Sequence, residues 1–285
     1  LTSSGGRITL GGGADPATTA AAGTAATAND GVRISGSGLL SSAAGTISVR
    51  GQSTLGEGVE VSGGADVIST DGSVTIVGTS TSTAGSHGVL ITGTGTTVTS
   101  ATGSISITGT SDGMHGVQIA DSAVVSSTGT GAAVGSITID GTSTVTTGDL
   151  DGIQVSDAST LITSIDGNIV LIGDAQRGDG ISLVNGAVVS STGNTANAAT
   201  VSLTGTTASM NGAHGVVIAG ADSQINAVDG DVQLDGTSGS GNGVRLDATP
   251  TLAIQTAGSA GVTVLGEGTA GSPGLQVDTE IDSNT

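Results

Sequence analysis

The chain has 285 residues, 52 of them glycine, with no aromatic residue, no cysteine and a formal net charge of −19. Five arginines and no lysine exclude a nucleic-acid footprint and argue against anionic membrane surfaces. Without Phe, Trp or Tyr the core must be narrow and filled by Val, Ile, Leu and Ala.

Disorder is the rival for a chain rich in Gly, Ser and Thr. A mean hydropathy of +0.26 and the regular placement of the aliphatic residues argue against it. No apolar run approaches transmembrane length. The chain shows no initiator Met, signal peptide or lipidation motif, which suggests a mature product or a piece of something longer. The lack of Cys excludes disulfide staples and is compatible with export.

The opening "LTS" has the pattern of a short strand. An Ala-rich segment over 12–30, carrying Pro16, reads as a loop or short helix. From Asp30 onward one unit recurs: a polar residue, Gly, then two aliphatics flanking a variable position. It is spelled "DGVRI" (30–34), "EGVEV" (57–61), "HGVLI" (87–91), "HGVQI" (115–119), "DGIQV" (151–155), "DGISL" (179–183), "HGVVI" (214–218), "NGVRL" (242–246) and "PGLQV" (273–277). The spacings between successive glycines are 27, 30, 28, 36, 28, 35, 28 and 31 residues. Values near 28 set the period, and the longer ones mark insertions, two of which widen one corner at 127–135 and 191–200.

Each repeat holds three strand-like pieces. Over 88–110 they are "GVLIT", "TVTS" and "SISITGT", with Val89 and Ile91, Val98 and Ser100, and Ile105 and Ile107 on the predicted inner side. Alternation with period two means strands with one buried face, and Gly-containing turns separate them. Three strands per repeat describe one triangular coil of a right-handed parallel β-helix, an all-β β-solenoid of about nine coils forming a single domain over 1–285. One coil buries roughly five aliphatic side chains at about 1.5–3 kcal/mol each, against about 1–2 kcal/mol per ordered residue. Coils must therefore stack to be stable, into a rod roughly 40–45 Å long at strand spacing. The closing "EIDS" (280–283) matches the same strand as the opening "LTS", so end-to-end stacking into a filament, or membership of a longer solenoid, is expected.

The stretch "GVLITGTGTTVTSATGSISITGT" (88–110), with the scarcity of Lys and aromatics, resembles the β-helical passengers of bacterial surface adhesins, of the filamentous-haemagglutinin-like and autotransporter class. That resemblance implies an extracellular structural or adhesive rod at the cell surface, with no catalytic residues to carry over.

Four site readings compete with this. Asp30, Glu57, His87, His115, Asp151, Asp179, His214, Asn242 and Pro273 form one repeat column before the turn Gly. It reads either as a transition-metal ladder centred on His87 and His115 or as turn chemistry. A second acidic column, Asp66, Asp121, Asp157, Asn185, Asp222 and Asp247, reads as solvated turns or as weak calcium binding. Outward Ser and Thr columns admit an ice-binding reading, interrupted by Arg50, Asp140, Val170, Ile172 and Asp235. The tripeptide Arg177-Gly178-Asp179 spells an integrin-type adhesion motif on what should be an exposed turn, which makes a cell-surface receptor the alternative partner. No enzyme is expected, including a polysaccharide-active one, because the arginines are scattered and every carboxylate belongs to a repeat-wide column.

Overall fold

A computed structural model describes residues 1–23, 29–83, 85–247, 253–269 and 271–283. The described residues form an all-β solenoid of three parallel sheets, and each coil contributes one strand to each sheet. The first sheet, built from the strands that follow the repeat glycine, has nine strands and so spans eight full turns. The other two sheets have ten strands each.

Register is kept from coil to coil, as a period-two core demands, because a slip by one residue would turn every inward side chain outward. In the first sheet Val89 pairs with Val59 below and Val117 above, and Val117 pairs with Ile153. In the third, Ile105 lies between Val74 and Ile137. Val89, Ile91, Val98, Ile105 and Ile107, one coil's share of the core, are all fully buried. The five aliphatics expected per coil are therefore the five observed.

The third-sheet strands run further than their aliphatic pairs suggest. Ile105–Ser111 spans seven residues and passes through Gly109. A Cβ built at Gly109 would run into the carbonyl oxygen of Gly116, where the third sheet hands the chain to the first. Gly72 holds the equivalent place at the corner between second and third sheets, against the carbonyl of Gly45. Both glycines are required by close approach of backbones rather than by φ. The corner between first and second sheets turns instead by left-handed residues: Gly63 (φ 65°), Gly93 (φ 101°), Asp121 (φ 56°), Asp157 (φ 77°) and Asn185 (φ 58°).

The Ala-rich segment over 12–30 differs from a plain loop or helix. Ile8–Leu10 pairs with Ile47–Val49, and Ala21–Gly23 pairs with Gly51–Ser53. Two short strands thus mirror one long strand of the next coil, with residues 11–20 looping out between them. Residues 24–28 of that segment lie outside the described residues. The insertions at 127–135 and 191–200 follow the strands Val124–Ser127 and Val188–Ser191 and leave the coil at the corner between second and third sheets. No helix among the described residues is long and apolar enough to cross a membrane.

Candidate functional site

The residues before the repeat glycine stack at the corner where the first sheet begins, and their side chains reach along the rod axis. Six backbone N–H groups in this column meet a side-chain acceptor of the preceding coil. Glu57 N–H donates to Asp30 Oδ1 at 2.9 Å, and His87 N–H donates to the Glu57 carboxylate. Asp151 N–H donates to His115 Nδ1 at 2.8 Å, and Asp179 N–H to Asp151 Oδ1 at 2.9 Å. His214 N–H donates to Asp179 Oδ1 at 2.7 Å, and Asn242 N–H to His214 Nδ1 at 3.0 Å. The carbonyls of the same residues accept from the repeat glycines one coil back, as in Gly152 N–H to Asp179 O at 3.0 Å. Backbone groups at a buried corner need partners, and this arrangement supplies them on both sides. Pro273, the last member, brings no N–H and needs no acceptor below it.

This geometry decides the histidine chemistry. His115 and His214 accept through Nδ1, so both are neutral with the proton on Nε2. Burial, then the charge of His87, pulls the His115 pKa down to about 3. Burial, then Arg245, lowers that of His214. His87 breaks the pattern: its Nδ1 faces the Glu57 carboxylate at 3.2 Å, and its ring stacks on His115 with centroids 5.6 Å apart. His87 Nε2 is buried without a partner. Burial, then the neighbouring Asp179, raises Asp151 to about 8, and burial raises Asp179 to about 6.

The structure brings His87 and His115 together, as their adjacency in the column suggests. The third member, His214, stands three coils beyond His115, beside Asp179 and Asn242. Among the described residues no group of three or more His, Cys, Asp or Glu is placed to hold a metal ion.

The second acidic column does not form a line. Asp66 starts a second-sheet strand opposite Thr97, whose hydroxyl it accepts at 2.6 Å. Asp121 and Asp157 occupy the left-handed corner and accept from Thr92 and Ser156 at 2.8 and 3.1 Å. Ala219 pairs with Val184, which sets Gly220 opposite Asn185 and places Asp222 two residues further along its own turn. Asp247 belongs to the first sheet, opposite Ala219, with Arg245 at 2.7 Å. The column members' distances from the repeat glycine run from four to eight residues, and only Asp121, Asp157 and Asn185, each five residues after it, share a rung.

Arg177-Gly178-Asp179 is not the exposed turn the sequence suggests. Gly178 is buried, and Arg177 and Asp179 are half-buried. Gly178 packs on the backbone of Leu150, and the Arg177 guanidinium lies against the Asn211 side-chain amide. The Asp179 carboxylate, the group an adhesion motif has to present, accepts the His214 N–H.

What residue types alone do not reveal is the direction of these side chains. A signal was present all the same: every member of the column before Pro273 carries a side-chain acceptor, a rule that turn propensity does not require. No family model, no curated protein and no solved structure matches the chain.

Proposed function

We propose that the chain is an extracellular structural rod, the β-helical stalk of a surface filament of the kind its sequence resembles. The observation that carries this reading is the use of the repeat columns for cohesion between coils. Inward aliphatics build one continuous core, corner glycines let backbones touch, and the polar column caps the N–H groups of the next coil.

Growth of such a rod means adding coils in the same register. Leu275 and Val277, aligned with the fully buried Val244 and Leu246, are each 41% exposed, and a further coil would cover them. Charge supports head-to-tail addition. Residues 1–50 carry Arg7, Arg33 and Arg50 against Asp15 and Asp30, whereas the last coil carries Glu267, Asp278, Glu280 and Asp282 and no arginine. Receptor attachment through Arg177-Gly178-Asp179 forms no part of this reading, because Asp179 is engaged within the coil.

Negative-stain electron microscopy over a range of protein and salt concentrations tests it. Rods that lengthen with concentration and shorten at high salt are expected. Particles of one short length under all conditions would overturn the filament.

A further inference from the structure

The corner between second and third sheets departs from the repeat in one place. The loops that follow Ser127 and Ser191 rise on either side of the short turn at 165–168 and wall a cleft of about 590 Å³. The floor is tied to both walls. Asp166 Oδ2 accepts the Gly131 N–H from one loop, and Asn168 Oδ1 accepts the Thr200 N–H, at 3.1 Å, at the end of the other. The cleft is therefore formed without a ligand.

A second observation marks the same corner. Of the eight buried side-chain polar atoms without a partner among the described residues, Asp166 Oδ1 belongs to a residue that lines the cleft, whereas the hydroxyls of Ser127, Ser164 and Ser191 lie on the inward side of the same corner, outside the lining. In the earlier coils the aligned serines reach a corner carbonyl, Ser42 to Gly6 at 3.3 Å, Ser69 to Gly45 at 3.4 Å and Ser100 to Gly72 at 3.2 Å. Ser127, Ser164 and Ser191, in the coils around the two insertions, make no such bond.

We propose that this cleft binds a neutral saccharide unit. Its volume is in the range of small-molecule sites and well beyond that of a single ion. Its lining mixes donors and acceptors: the Asp166 carboxylate, the amides of Asn168 and Asn197, and the hydroxyls of Ser104, Ser136 and Thr200. Sugar hydroxyls both donate and accept, and so can pair with each of these groups. No arginine lines the cleft, so it offers no counter-charge to uronates, sialates or phosphates. The site is separate from the coil-to-coil contacts of the rod, and either reading can fail without the other.

Saturation-transfer NMR with methyl glucoside, methyl N-acetylglucosaminide and galacturonate tests it, with circular dichroism to confirm that each variant is folded. The two neutral glycosides should receive saturation and galacturonate should not. Asp166→Asn keeps an acceptor for Gly131 N–H but replaces part of the carboxylate by a donor, and should weaken binding by about tenfold or more. Thr200→Val keeps the backbone bond to Asn168 and removes one hydroxyl, and should weaken binding by a few fold. Absence of transfer from both neutral glycosides, transfer unchanged in both variants, or equal transfer to galacturonate would each overturn the proposal.

Discussion

Two corners of the same coil have opposite characters. Where the third sheet hands the chain to the first, backbones touch at glycine and side chains cap the N–H groups of the next coil, so nearly every polar group is paired. Where the second hands it to the third, two insertions push the wall outward, and four buried polar atoms have no partner. The difference teaches that a stacked repeat satisfies its polar groups through constancy of register. A loop inserted at a corner goes with unpartnered groups in the coils around it, and with a cleft in the same place.

Glycine substitution should separate the two corners most strongly. Gly109→Ala drives a methyl group into the Gly116 carbonyl, and neither backbone can move without breaking ladders. A loss of about 3 kcal/mol is expected from urea unfolding. Gly131→Ala, in the insertion, meets no atom within 4 Å and suffers only from its φ of 99°, at about 1–2 kcal/mol.

Asp179→Ala leaves the His214 N–H without its acceptor at a closed corner, for a loss of about 1–3 kcal/mol. Asp179→Asn keeps an oxygen there and removes a charge beside Asp151, so its unfolding midpoint should stay near that of the parent. Equal losses in the two variants would mean that the carboxylate charge, rather than the capping bond, is what matters.

The pH profile sharpens the same point. His115 is depressed from 6.5 to about 3, so the unfolded chain takes up its proton first and stability falls as pH drops from about 6.5 towards 3. Asp151 is raised from 3.8 to about 8, so its contribution is present at low pH and is lost as pH rises from about 4 to 8. The His115 and Asp151 terms oppose each other between pH 4 and 6.5, and Asp179, raised from 3.8 to about 6, adds a further loss as pH rises from about 4 to 6, so stability should fall over that range. Asp151→Asn removes the second term, so its urea midpoint should no longer decline from Asp151 between pH 6.5 and 8, while the acid-side loss persists.

The smallest effects belong to the inward serines. Ser100→Ala removes a hydrogen bond to Gly72 O and should lose about 1 kcal/mol. Ser164→Ala removes a buried hydroxyl that bonds to nothing and should be neutral or slightly stabilising. Thermal melts of the pair measure the contrast directly.

Much of the fold was legible in the residues themselves. Val89, Ile91, Val98, Ile105 and Ile107 alternate with polar neighbours, and a buried face with period two has only one conformation to adopt. The recurrence near 28 residues then dictates that equivalent strands stack, because one coil cannot bury its own core. The candidate site was legible as a column of residue types but not as a ladder, since composition does not say whether Asp179 points along the axis or into solvent. Asp66, Asp121 and Asp222 looked collinear because each comes just ahead of the middle aliphatic strand, and the pairing register shows them on different rungs.

The chain by itself determined three strands per coil, the inward set and the places of the insertions, because these follow from local alternation and period. Tertiary structure decided which polar groups find partners. That depends on contacts between residues some 24 to 36 positions apart, such as Ser69 with Gly45 and His115 with Asp151, whose alignment exists only once the coils have stacked.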